Sequence, residues 1–123
     1  MKVNFLIFCD QANFDENNKL NINGIFDQIQ ANGFPALRER MSIVAQLDLP
    51  AGDFTEFLKV KKSNWEIRTS DITFNKTSPG QHNIIHNIEN MLLLEPGYYE
   101  VEIFVNGNKV ENSGPNKFSV VQT

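Results

Sequence analysis

The chain has 123 residues, is 41% apolar and 21% charged, carries a net charge of −4 and contains one cysteine. That length suits a single domain spanning 1–123 with a real core, and the composition is ordinary for a soluble globular protein. The acidic balance disfavours nucleic acid and anionic membranes, which select a basic excess, and a lone Cys9 allows no internal disulfide.

"MKVNFLIFCDQANFD" opens with a short apolar run. It is too short for a signal-peptide core or a membrane span, so 3–9 reads as a first strand. A cytoplasmic protein is the expectation, with a phage or cell-surface origin by another export route left open. "DQANFDENNK" reads as a polar loop. In "KLNINGIFDQI", Leu20 and Ile22 share a face, the phase slips at Gly24, and Ile25, Asp27 and Ile29 continue out of step. An isolated glycine at a change of phase predicts a β-bulge. "ANGFPA" is a turn. "RMSIVAQLDL" alternates most cleanly, with Met41, Ile43, Ala45, Leu47 and Leu49 on one face and Ser42, Gln46 and Asp48 on the other. "PAGD" ends it.

"FTEFLKVKK" and "WEIRT" flank Ser63-Asn64 as a hairpin, and "DITFN" is a short strand closed by "SPG". "HNIIHNIENMLLLEPG" fits a strand over 83–89 followed by an apolar loop. A helix also fits, since Ile84, Ile85, Ile88, Met91 and Leu92 would share one helical face, but no N-cap signal favours it. In "PGYYEVEIFVNGNKV", Tyr99, Val101, Ile103 and Val105 alternate with Tyr98, Glu100, Glu102 and Phe104. Asn106-Gly107 is a strong hairpin signal, because a type I′ turn needs positive φ at both central residues. "NKVEN" returns and "KFSVV" is the last strand. Eight or nine short strands with frequent turns predict an all-β, single antiparallel β-sandwich.

Three segments carry a resemblance: "FCDQANFDENNKLNINGIFDQI", "FPALRERMSIVAQLDL" and "EPGYYEVEIFVNGNKV". Together they resemble a family of small bacterial proteins of unknown function, predicted to be immunoglobulin-like β-sandwiches. The likeness covers most of the chain. Its motifs are a strand, an acidic loop, a glycine-containing strand, a Phe-Pro turn and a late Gly-Tyr hairpin. All are structural, so the resemblance implies an immunoglobulin-like fold and transfers no functional residue.

Candidate chemistries are few. His82, His86 and Glu89 would converge on a helix, but on a strand the two histidines stand ~13 Å apart, too far for one zinc with bonds of about 2 Å. Asp10, Asp15 and Glu16 share an acidic loop without the EF-hand pattern. Cys9 lies among Phe5, Ile7 and Phe8, where burial disfavours a thiolate. No G-x-S-x-G or glycine-rich phosphate loop occurs, which leaves no serine triad and no cofactor site in view. Lys59, Lys61, Lys62, Arg68 and Trp65 gather as on a single-strand platform, yet lysines also guard sheet edges and a sandwich Trp is usually core.

The expectation is therefore a non-enzymatic module without metal, cofactor, nucleic acid or membrane, acting through an unknown protein partner or self-association. The alternative is a small-ligand or carbohydrate module with an acidic-loop metal or aromatic site. The candidate interaction face is Tyr98, Glu100, Glu102 and Phe104. Two rings on an outward face need an explanation: either the loop "NMLLLEP" folds over Phe104, or the rings anchor a contact. Glu100 and Glu102 share that face and most simply solubilise it.

Overall fold

Apolar and polar residues alternate along most of the chain, the pattern of half-buried strands. A computed structural model, which describes residues 1–112 and 114–123, shows eleven strands and no helix among them. They are β1 (Lys2–Phe14), β2 (Leu20–Phe26), β3 (Gln28–Ala31), β4 (Ala36–Leu49), β5 (Gly52–Lys62) and β6 (Trp65–Arg68), followed by β7 (Ile72–Lys76), β8 (Gly80–Leu93), β9 (Gly97–Val105), β10 (Asn108–Val110) and β11 (Lys117–Gln122). One sheet runs β2-β1-β4-β8. The other runs β3-β11-β9-β5-β6, with β10 beside β9 and β7 beside β5. The expected eight or nine strands are thus eleven. The expected pure antiparallel pairing is broken by β3 and β11, which run parallel with Ile29 opposite Val120.

The phase slip near Gly24 has a different cause from the bulge that the sequence predicts. Cys9 faces Ile25 and Gln11 faces Asn23, so the register is the same on both sides of Gly24 and no residue is inserted. Instead the chain leaves the first sheet after Phe26 and enters the second at Gln28. The Asp27 carbonyl accepts the Ser119 N–H at 2.9 Å at that crossing. Gly24 does need its glycine: φ is +69°, and a Cβ there would collide with the Asp10 carboxylate.

Two expected loops are strand. β1 continues through "DQANF", and the turn is confined to the residues after it, where Asp15 Oδ1 accepts the N–H groups of Asn17 and Lys19 at 2.8 and 2.9 Å. β8 extends well beyond 83–89: Met91 and Leu93 are buried and pair with Arg38 and Ala36. The apolar segment that was to cover Phe104 is therefore committed to the opposite sheet.

The two sheets share one core. Met41, Ile43, Leu47, Ile84 and Ile88 from the first meet Leu58, Val60, Val101, Ile103 and Phe118 from the second. Phe8 packs edge-on to Phe118 at 5.2 Å across the interior, and Phe118 stacks on Tyr99 at 5.4 Å. Truncating fully buried Leu58 to Ala would cost about 2–5 kcal/mol, the transfer and cavity terms together. A smaller apolar cluster lies apart from this core: Cys9, Ala12 and Val44 are buried beneath Phe5, Ile7, Leu20, Ile22 and Ile85.

Candidate functional site

β9 is central in the second sheet, between β11 and β5. Its alternation is as the sequence predicts: Tyr99, Val101, Ile103 and Val105 are buried, while Tyr98, Glu100, Glu102 and Phe104 face outward. The β5–β9 register sets Phe57 opposite Phe104, Lys59 opposite Glu102 and Lys61 opposite Glu100. The Phe57 and Phe104 rings stack at 4.9 Å and 6°. On the far side of Phe57, where β6 flanks β5, the Arg68 guanidinium lies 3.8 Å from the ring centroid. The Lys59 ammonium stands 5.0 Å over Phe104. Phe104 is thus covered by a neighbouring strand rather than by the 90–96 segment, and Phe57 has both faces occupied.

The charges on this face interlock. Glu102 lies 2.9 Å from Lys109 Nζ and 3.4 Å from Lys61 Nζ. The bond from Lys109 holds the Glu102 carboxyl below its ordinary range; burial opposes this and Lys61 reinforces it. The same pairing raises the Lys109 ammonium. Lys59 pairs with Glu66 at 3.6 Å and Arg68 with Asp71 at 2.6 Å. Glu100 receives a long 3.5 Å bond from the Asn116 amide. Tyr98 is 69% exposed, but six residues along a strand separate it from Phe104, roughly 20 Å at strand rise. The four named residues share a face without forming one patch.

The remaining candidates do not converge. Asp10 is paired with Arg38 at 2.6 Å, Asp15 closes its turn, and no three His, Cys, Asp or Glu side chains among the described residues are placed to hold a metal. His82 stacks on Phe74 at 3.9 Å. Burial pushes its imidazole pKa down, and Lys76 pushes the same way. Glu89 is exposed and opposite Arg40. Burial pushes the Cys9 thiol up, and its Sγ–H points to the Ser42 carbonyl at 3.6 Å. Lys62 pairs with Glu95 at 3.5 Å. Trp65 is half-buried edge-on against Tyr99 at 5.6 Å, so it is no exposed stacking platform.

The sequence reading missed two features. The first is Phe57 as the stacking partner of Phe104, which only the β5–β9 register reveals. More consequentially, Glu56 and His86 are both buried, at 0% and 3% exposure, and are joined across the two sheets by a 2.6 Å hydrogen bond between Oε1 and Nε2. Glu56 Oε2 has no partner. A signal existed: in "FTEFLKV", Glu56 falls in phase with Phe54, Leu58 and Val60, which places it inward.

No helix of the described residues is long and apolar enough to cross a membrane. No curated protein matches the chain. Among solved structures it is similar to a chain of the Pseudomonas fluorescens alkylpurine DNA glycosylase AlkC bound to DNA containing an abasic site analog. The TM-score is 0.56 and the identity 15%, over 99% of this chain and 30% of that one. The likeness is one of fold, and this chain spans about a third of that chain's length. Residues 4–113, from β1 to beyond β10 but short of β11, match the model of one family, and the chain belongs to it: DUF6941, a family of unknown function.

Proposed function

We propose that the chain is a non-enzymatic protein-interaction module, an immunoglobulin-like β-sandwich of bacterial or phage origin working in the cytoplasm, with the outer face of β5 and β9 as its recognition surface. The immunoglobulin-like reading is supported by Tyr99. It sits near the start of β9, and its hydroxyl donates to the Glu95 carbonyl four residues back at 2.7 Å, the tyrosine-corner arrangement of such sandwiches.

The observation that carries the interaction reading is the Phe57–Phe104 stack with its cations. An aromatic pair of this kind contributes about 0.5–1.5 kcal/mol beyond area burial, and the core makes no use of it. Aromatics and arginine ringed by polar groups are what protein-binding surfaces concentrate. The carbohydrate alternative draws less support, because Phe57 has no free ring face to lay against a sugar. Nucleic acid is left out of the reading because Lys59, Lys61, Arg68 and Lys109 each have a carboxylate within 3.6 Å.

The test is quantitative mass spectrometry of proteins co-purifying with tagged wild type and with Phe104→Glu from the native host. A folded Phe104→Glu protein, with a near wild-type melting curve, should lose the specific partner. A folded variant that keeps the partner would refute the assignment of this face.

A further inference from the structure

β8 is an edge strand of fourteen residues, paired on one side only, with β4. The other edges are short or protected. β5 is flanked by β6 and β7, β3 has four residues, and β2 has seven with positive φ at Gly24. Proteins usually guard long edges with lysine, proline or a bulge. β8 contains neither Lys nor Pro, and Glu89 is its one charged side chain apart from the histidines. Two clefts of about 530 and 630 Å³ border it, the first facing β6 and the second walled by Ala12, Asn13, Phe14 and Asn18 at the tip of the β1–β2 hairpin, and they meet at Ile72, Ile85 and Asn87. Apart from Lys76 Nζ on the Gln81 carbonyl at 3.0 Å, no hydrogen bond from outside its sheet reaches the β8 main chain among the described residues.

The side chains on the outer face of this sheet form rows that stop at the edge. Asn4 donates to Gln46 at 3.0 Å, and Gln46 donates to Asn83 Oδ1 at 2.9 Å. Ser42 donates to Asn87 Oδ1 at 2.7 Å. In both rows the last residue accepts through its oxygen, which leaves the Asn83 and Asn87 amide NH₂ groups unspent at the open edge. β8 is also symmetric in its regular part. It lies between two positive-φ residues, Gly80 and Asn90, and Ile85 is the midpoint.

From this we infer that β8 pairs antiparallel with β8 of a second copy of the chain, about a two-fold axis at Ile85. The pairing sets Ile85 opposite its own copy, Asn83 opposite Asn87 and Gln81 opposite Glu89. The unspent Asn83 amide then donates to the Asn87 side chain across the joint, and Gln81 donates to a carboxylate. Each joined row then runs Asn4–Gln46–Asn83 and on to Asn87–Ser42 of the copy, five strands without a like-charge contact. An axis one residue away, at His86, would set Asn83 opposite Glu89 and Ile85 opposite Asn87, and so put an apolar side chain against one of the two unspent amides and leave Gln81 without its carboxylate. The buried Glu56–His86 bond ties the middle of β8 to the opposite sheet, so that part of the edge is held in place before it pairs.

Analytical ultracentrifugation and a cross-link test the proposal on the full chain. Wild type should sediment as twice 14.0 kDa at micromolar concentration. In a Cys9→Ala background, Ile85→Cys should oxidise to a covalent dimer, since directly opposite Cα atoms lie ~4.5–5.5 Å apart. Asn83→Asp with Asn87→Asp preserves both acceptors for Gln46 and Ser42 but removes the donors and faces carboxylate with carboxylate. It should stay folded and become monomeric, weakening association at least tenfold. Asn87→Asp alone keeps the Asn83 donor and should remain dimeric. A monomeric wild type, a dimer that Ile85→Cys does not cross-link, or a folded double variant with undiminished dimer would each overturn the inference. Dimerisation abolished by Phe104→Glu but untouched by the Asp pair would move the joint to the other sheet.

Discussion

Glu56→Met is the most informative single perturbation of this fold. Glu56 and His86 are withdrawn from solvent and hold one another at 2.6 Å. Removing one partner of such a pair strands the other without a bond, at about 3–5 kcal/mol. A domain of this size has roughly 5–15 kcal/mol in all, so Glu56→Met should remove about a fifth of it or more. His86→Phe alone should cost a similar amount, because it orphans the Glu56 carboxylate, whose Oε2 already lacks a partner. The double variant Glu56→Met/His86→Phe should recover most of the loss, since replacing both members of a buried pair by apolar groups is often neutral or better. Urea unfolding followed by Trp65 fluorescence reads all four states; the half-buried indole beside Tyr99 reports on core packing. The expected pattern is two low midpoints and one restored, with unchanged slope. Additive losses in the double variant would refute the argument, because they would mean that the two side chains contribute by packing and not through their bond.

Asn106 and Gly107 both have positive φ, at 51° and 82°, as the type I′ expectation requires. Gly107→Val should cost about 1–2 kcal/mol, seen as a fall of several degrees in melting temperature, although nothing lies within 4 Å of the added Cβ. Cys9 should react with a thiol reagent slowly when native and rapidly in denaturant; fast native labelling would contradict its burial. The Glu102 carboxyl is held below its ordinary 4.5 in the folded state. Its stabilising contribution is therefore complete above that value and is lost as pH falls through the lower folded value. Glu102→Gln should flatten the acid limb of a stability–pH curve, and an unchanged limb would count against the Lys109–Glu102–Lys61 cluster.

Period-two alternation made β4, β5 and β9 legible, because each has one core-facing and one outer face whose residues differ in polarity. The same rule gave the inward set of β9 and the outward placement of Phe104. It could not give what covers Phe104, since the register of β5 on β9 joins residues far apart in sequence. β8 was under-read because Asn90 has positive φ and the apolar phase shifts there, so Met91 and Leu93 looked like loop. The exchange of sheets at Asp27 mimics a bulge locally and differs only in its distant partner, Ser119. The Glu56–His86 bond was visible in half. Alternation points Glu56 inward, but its partner lies thirty residues away in the other sheet.

The parallel pairing of β3 with β11 bears on the order in which this fold can be assembled. β11 lies between β3 and β9, so the last of the eleven strands to be synthesised fills an interior place in its sheet. Asn32 and Thr123, bonded at the end of that ladder, are 91 positions apart. On the ribosome β3 must wait, unpaired and with Ile29 exposed, until β4 to β11 have emerged. Such late, distant closure slows folding and lengthens the time during which an unfilled slot beside β9 is open to strands of other molecules.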